Sequence, residues 1–155
     1  MLNPAKTFLS FTAFLVCLLL LAVQPVAAKT WWKIKVRDIP IEAEVVITNE
    51  EQRMGLGNRF SLPEGQGMLF VYDRPGSRVF WMKRMNFSID IIWFLGNKAV
   101  KFEENIPFPE HSTPDDYLER YGHGVTSDMV LELPAGYIKK HRLSLGDTLT
   151  ILKKD

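Results

Sequence analysis

Ten glycines, all beyond residue 54, separate short apolar stretches, and this spacing constrains the chain more than any other feature. Stretches of about five to eight residues between turn-forming glycines are short for packed helices and suit strands. Ile41, Ala43, Val45 and Ile47 alternate with Glu42, Glu44, Val46 and Thr48, a period of two that predicts a half-buried strand. Thr48-Asn49-Glu50-Glu51 then has capping-box spacing, so a short helix is predicted to about Met54, stopping at Gly55. Gly67 to Tyr72, Arg78 to Met82 and Ser88 to Leu95 read as further strands, and Gly96-Asn97 as a hairpin turn into Ala99 to Phe102.

Residues 105–127 form a long polar connection in which Thr113-Pro114-Asp115-Asp116 predicts one helical turn, with Thr113 as its cap. Met129 to Leu133, a short helix from Pro134 to about Lys140, and a last strand from Thr148 to Leu152 complete the reading. The fold class expected is mainly β: a compact β-barrel-like domain of about seven to eight short strands with two to three short helices, closure hiding the sheet edges.

The first 28 residues differ from the rest. Lys6 is their only charged residue, Ala13 to Val23 is unbroken apolar chain, and Val26-Ala27-Ala28 supplies small residues before Lys29. This reads as a secretory signal peptide over residues 1–28. The run is short of the roughly 20 apolar residues of a membrane span. Left uncut, and extended back to Phe8, the same stretch would act as an N-terminal anchor, and only then is a membrane partner expected. Cys17 has Val16 before it and apolar residues after it, so it reads as a leader residue and not as a lipid-attachment site. The domain is therefore placed at residues 29–155, and its expected location is exported: periplasmic or extracellular, or held at the inner membrane.

Within residues 29–155 there is no cysteine, and 18 Lys and Arg balance 18 Asp and Glu. Thiol catalysis, cysteine metal sites and disulfide stapling are excluded there. A neutral chain also argues against nucleic acid as a partner, because phosphate binding needs a clustered surplus of cations. No P-loop, dinucleotide glycine pattern or GxSxG sequence occurs, so no cofactor is expected.

The segment from Phe80 to Phe94 carries the most chemistry. Phe87, Ile89, Ile91 and Trp93 share one strand face, and Ser88 and Asp90 share the other with Ile92 and Phe94. Asp90 is thus an acid inside an apolar strand, which calls for a paired cation, several hydrogen bonds or a raised pKa. Lys83 and Arg84 are its nearest cations in sequence. The alternative is a carboxylate that caps a neighbouring turn through backbone N–H groups. Trp81 stands two residues from Lys83, setting an aromatic face beside a cation.

Met54, Met68, Met82 and Met85, with Phe80, Trp81 and Trp93, would line an adaptable pocket or fill the core. His111, His123 and His141 match no compact zinc spacing, so no metal site is expected. Asn86-Phe87-Ser88 fits a glycosylation sequon but falls near a predicted strand start.

The order of segments Arg53-Met54-Gly55-Leu56, Arg59-Phe60-Ser61-Leu62-Pro63-Glu64, Gly67-Met68-Leu69-Phe70-Val71, Phe80-Trp81-Met82-Lys83, Asp90-Ile91-Ile92, Val130-Leu131-Glu132-Leu133-Pro134-Ala135-Gly136 and Gly146-Asp147 resembles the bacterial and archaeal domain of unknown function 192. The resemblance spans about residues 34–153 and implies a compact β-barrel-like domain, often exported, with no established reaction. Two places depart from the family pattern. Arg84, Met85 and Ser88 stand where Asn-Thr and then a proline usually follow the lysine, and Gly57 stands where a methionine commonly follows Gly-Leu.

These readings lead to a non-catalytic domain binding a small ligand, glycan or protein segment at Trp81, Lys83, Arg84 and Asp90. The enzymatic alternative uses Asp90 as general acid or base beside Lys83, with a glycan as the substrate considered. A third reading is a structural accessory anchored by its leader.

Overall fold

The computed structural model describes residues 28–154. Cys17 and all of the expected leader except Ala28 lie outside the described residues. The elements, in order, are β1 (Thr30–Val36), β2 (Ile39–Val46), α1 (Asn49–Met54), β3 (Gln66–Ser77), β4 (Phe80–Trp81), β5 (Ile89–Leu95), β6 (Lys98–Ile106), a 3-10 turn (Asp115–Tyr117), β7 (Arg120–Tyr121), β8 (Thr126–Pro134), α2 (Tyr137–His141) and β9 (Leu149–Lys154).

Seven strands form one sheet in the order β6-β5-β8-β3-β2-β1-β9, and β4 and β7 pair separately. Every pairing is antiparallel except β2 with β3, which α1 connects as a crossover. The predicted strands are present, and β1 and β7 add to them. In β1 the alternation that forms a strand is plain: Trp32, Ile34 and Val36 are buried, and their neighbours are not.

The sheet rolls until its two edges touch at one corner. Lys98 of β6 bridges Thr148 just before β9. Ala99 N–H donates to the Asp147 carbonyl at 2.9 Å, and Gly146 N–H donates to the Ala99 carbonyl at 2.8 Å. Beyond that corner β9 pairs with β1 alone and β6 with β5 alone, so the sheet does not close and is barrel-like only in its curl.

Both faces of the central strands are covered. One cluster gathers Ile34, Val36, Ile41, Leu69, Leu131, Leu133 and Ile138. The other puts Val46, Leu56, Met68, Phe70, Met82, Met85, Ile91 and Trp93 on the opposite face, under the segments that follow α1 and β4. With a core on each side, β5 is buried from Ile89 to Phe94, which explains its nearly continuous apolar sequence. Met68, Met82, Met85 and Trp93 are core residues, and Phe80 packs edge-on against Phe70 and Trp93. Met54 is exposed.

Two local expectations shift. Pro134 ends β8 and does not start the helix, because Gly136 turns left-handed at φ 81° and α2 begins only after it. Pro114, not Thr113, precedes the 3-10 turn, and no side chain caps it. The capping box at α1 forms as predicted: Glu51 N–H donates to Thr48 Oγ1, and Thr48 N–H donates to the Glu51 carboxylate. Among the described residues no helix is long and apolar enough to cross a membrane.

Candidate functional site

Asp90 is fully buried, and three backbone donors surround its carboxylate. Asn105 N–H at 2.8 Å and Gly136 N–H at 3.0 Å donate to Oδ1, and Ile138 N–H donates to Oδ2 at 2.8 Å. Gly136 and Ile138 lie at the start of α2, so Asp90 ties that helix and the end of β6 to β5. Its partners are backbone groups and not Lys83 or Arg84. With no exposed surface, it does not belong to a common surface with Trp81, Lys83 and Arg84, and a role as acid or base beside Lys83 has no access to substrate.

Lys83 makes an ion pair with Asp115 of the 3-10 turn. Its ammonium also lies 5.0 Å from the centre of the Trp81 ring, as the step of two predicted. A second cation joins it: β4 and β7 set Trp81 opposite Arg120, whose guanidinium stacks 3.8 Å from the same ring centre. The aromatic face that sequence reading offered to a ligand is thus occupied by the protein's own cations.

Arg84 is placed differently. It is exposed and left-handed at φ 59°, a conformation that costs a non-glycine residue about 1–2 kcal/mol. The turn around it is tied from several sides. Met85 N–H donates to the Met82 carbonyl, Asn58 N–H donates to the Arg84 carbonyl at 2.8 Å, and Asn86 Nδ2 donates to the Arg59 carbonyl at 2.8 Å. Asn58 is itself left-handed, at φ 64°.

Gly57 is required by its own turn, since a Cβ there would lie 2.9 Å from the Met54 carbonyl oxygen; toward the other loop it would make ordinary contacts, 3.4 Å from the Lys83 carbonyl oxygen and 3.6 Å from Arg84 Cβ. The two departures from the family pattern, Gly57 and Arg84, therefore face each other. Position 84, where that pattern has asparagine, has the left-handed backbone that asparagine tolerates best after glycine.

Between this loop and the strap at residues 107–118 lies a cleft of about 340 Å³, lined by Asn58, Lys83, Arg84, Asn86, His111 and Asp115 among others. Lys83 is neutralised by Asp115, whereas the Arg84 guanidinium has no hydrogen-bond or ion-pair partner among the described residues. Glu110 of the strap balances it across the cleft without touching it. His111 lines this cleft, His123 is exposed, and the His141 ring packs 4.2 Å from that of Tyr137. No group of three potential metal ligands stands together among the described residues. Asn58 and Asn86 were not legible as site residues; the only local hint is that asparagine tolerates tight turns.

Behind the loop, Arg59 grips Glu44 with two bonds of 2.7 Å, and Lys29 adds a third at 3.0 Å. Burial pushes the Glu44 carboxyl up, but the bonds and charges of Arg59 and Lys29 outweigh it and hold the group below the usual carboxylate range. Glu132, on the same sheet face, is buried, and burial pushes it up to about 8 against the pull of Arg59.

Fold and cleft together define a mainly β domain with one strained, unpaired arginine beside a polar cleft. The profile of the DUF192 family, described as an uncharacterized ACR, matches residues 32–151, and the chain belongs to that family. A protein of unknown function from Novosphingobium aromaticivorans DSM 12444 has a similar structure. The TM-score is 0.69 at 24% identity, covering 83% of this chain and 91% of that one. A protein described as a candidate transcription regulator from Sinorhizobium meliloti 1021 gives a TM-score of 0.68 at 20% identity, over 83% of this chain and 98% of that one. At these identities the likeness is one of fold. No curated protein matches the chain.

Proposed function

We propose that the chain is a binding domain that holds a small ligand with one carboxylate or phosphate-ester group in the cleft between the Arg84 loop and the strap. The observation that carries this is Arg84 itself: a guanidinium left without a partner, on a backbone strained into φ 59°, at the mouth of a cleft. Strain that neighbouring contacts maintain is a recurring mark of binding loops. A guanidinium offers five donors and no acceptor, so its ligand brings acceptors in a planar or forked arrangement. Glu110 keeps the cleft close to neutral, which favours a singly charged group over a polyanion. Asn86, whose amide N–H is engaged by Arg59, presents its Oδ1 to the rest of the ligand.

Calorimetric titration with a panel of monocarboxylates and phosphate diesters, which carry one charge each, tests the reading. Saturable binding by at least one, weakened about tenfold in Arg84→Ala, is expected. Equal affinity of the two proteins across the panel would sink it. Export, the location expected from residues 1–28, is part of the same proposal. Mass spectrometry of the N-terminus in the native host would then find a chain that starts at Lys29.

A further inference from the structure

We propose a second binding site, separate from the Arg84 cleft, on the outer face of β1, β2 and β3, which takes a neutral sugar ring. Strand parity sets its composition. Trp32, Ile34 and Val36 of β1 point to one core, so Trp31 and Lys33 point to the other face. Lys33 lies directly opposite Glu42 of β2, and Glu42 directly opposite Gln66 of β3, so these side chains form a row across three strands beside Trp31. Further along the same strands this face is buried at Val46 and Phe70. At the Glu42 end it is open, and Trp31, Trp32, Lys33, Glu42 and Gln66 line a cleft of about 310 Å³.

The polar groups of this cleft are unpaired. Opposite charges facing each other across an antiparallel pair normally attract into contact. Here no ion pair joins Lys33 to Glu42, and the Gln66 amide makes no hydrogen bond among the described residues. Lys33 supplies donors, Glu42 acceptors, and Gln66 both. The charges of the lining residues Lys33 and Glu42 cancel, with Lys153 of β9 standing opposite Lys33 at the outer end of the row, so the cleft itself selects for a ligand rich in neutral groups that donate and accept at once. A half-buried tryptophan adds a flat apolar surface with little rotational freedom to lose. A pyranose matches both features, with a C–H face to lie against the ring and hydroxyls at its edge. The Arg84 cleft, with a single free cation, does not.

The test is calorimetry on the purified protein with cellotriose, maltotriose and chitotriose as neutral probes and trigalacturonate as a charged one. Saturable binding of at least one neutral trisaccharide is expected, about tenfold weaker in Trp31→Ala and in Glu42→Ala and unchanged in Arg84→Ala. Glu42 is exposed, so Glu42→Ala reads the site even if Trp31→Ala fails to fold. The proposal is overturned by an absence of saturation with all three neutral probes up to about 10 mM. Tighter binding of trigalacturonate, or wild-type affinity in both variants, overturns it equally.

Discussion

Asp90 and Glu132 are both buried carboxylates on neighbouring strands, and their surroundings differ sharply. Asp90 faces Leu133 across the β5–β8 ladder, and Glu132 faces Ile91 one step along, so the two side chains leave opposite faces of the sheet. Asp90 meets three backbone N–H groups at 2.8–3.0 Å. Glu132 Oε2 has no hydrogen-bond partner, and burial pushes its carboxyl up to about 8. The comparison teaches that burial alone does not set the fate of an acid. The supply of donors does: one carboxylate organises a helix start and a strand end, and the other keeps its proton because little would stabilise its charge.

The largest effect is expected at Asp90. Asp90→Ala leaves the N–H groups of Asn105, Gly136 and Ile138 without their acceptor and costs about 3–5 kcal/mol in urea unfolding. A loss below about 1 kcal/mol would show that water replaces the carboxylate and that the contrast with Glu132 is not one of donors.

Glu132 governs the pH dependence. Its folded pKa is raised from 4.5 to about 8, so between those values the folded chain holds a proton that the unfolded chain has released. Stability therefore falls as pH rises through this window, by an amount on the order of a few kcal/mol. Glu132→Gln removes that slope, and an unchanged stability profile between pH 5 and pH 8 would remove Glu132 from the account. Glu44 acts in the opposite sense and a different range: its pKa is lowered, so its contribution is lost as pH falls into the acid region.

The smallest effect is expected where a polar group is costly through its backbone and not through burial. Arg84→Asn relaxes the left-handed turn and raises stability by about 0.5–1 kcal/mol in thermal unfolding, while removing the free guanidinium. No gain in stability would mean that the loop, and not the residue type, absorbs the strain.

How far each feature is legible from sequence follows the range of its contacts. The capping box of α1 is readable in detail because Thr48 and Glu51 are three residues apart. The Trp81–Lys83 contact is readable because the two residues are only two apart, although Lys83 reaches the ring from the turn after β4 and not from a strand. Arg120, which stacks more closely on the same ring, is not, because it arrives on β7. Asp90 is conspicuous in its apolar strand, but its donors lie 15, 46 and 48 residues away, so its nearest cations in sequence are the wrong partners. The cleft at Arg84 likewise depends on Asn58 from after α1, which bonds the Arg84 carbonyl, and on the strap from beyond β6.

By itself the sequence determined a mainly β domain: strand alternation, turn glycines and a helix cap act within a few residues and are written in order along the chain. It also marked Asp90 as an acid set inside an apolar strand. Only the tertiary structure decided that the sheet touches itself at a single corner, that Asp90 is a scaffold group, and that at one cleft Lys83 is paired with Asp115 while the Arg84 guanidinium is left free. Each of those depends on which distant backbone groups come within about 3 Å of one another, and strand pairing sets that, not local pattern.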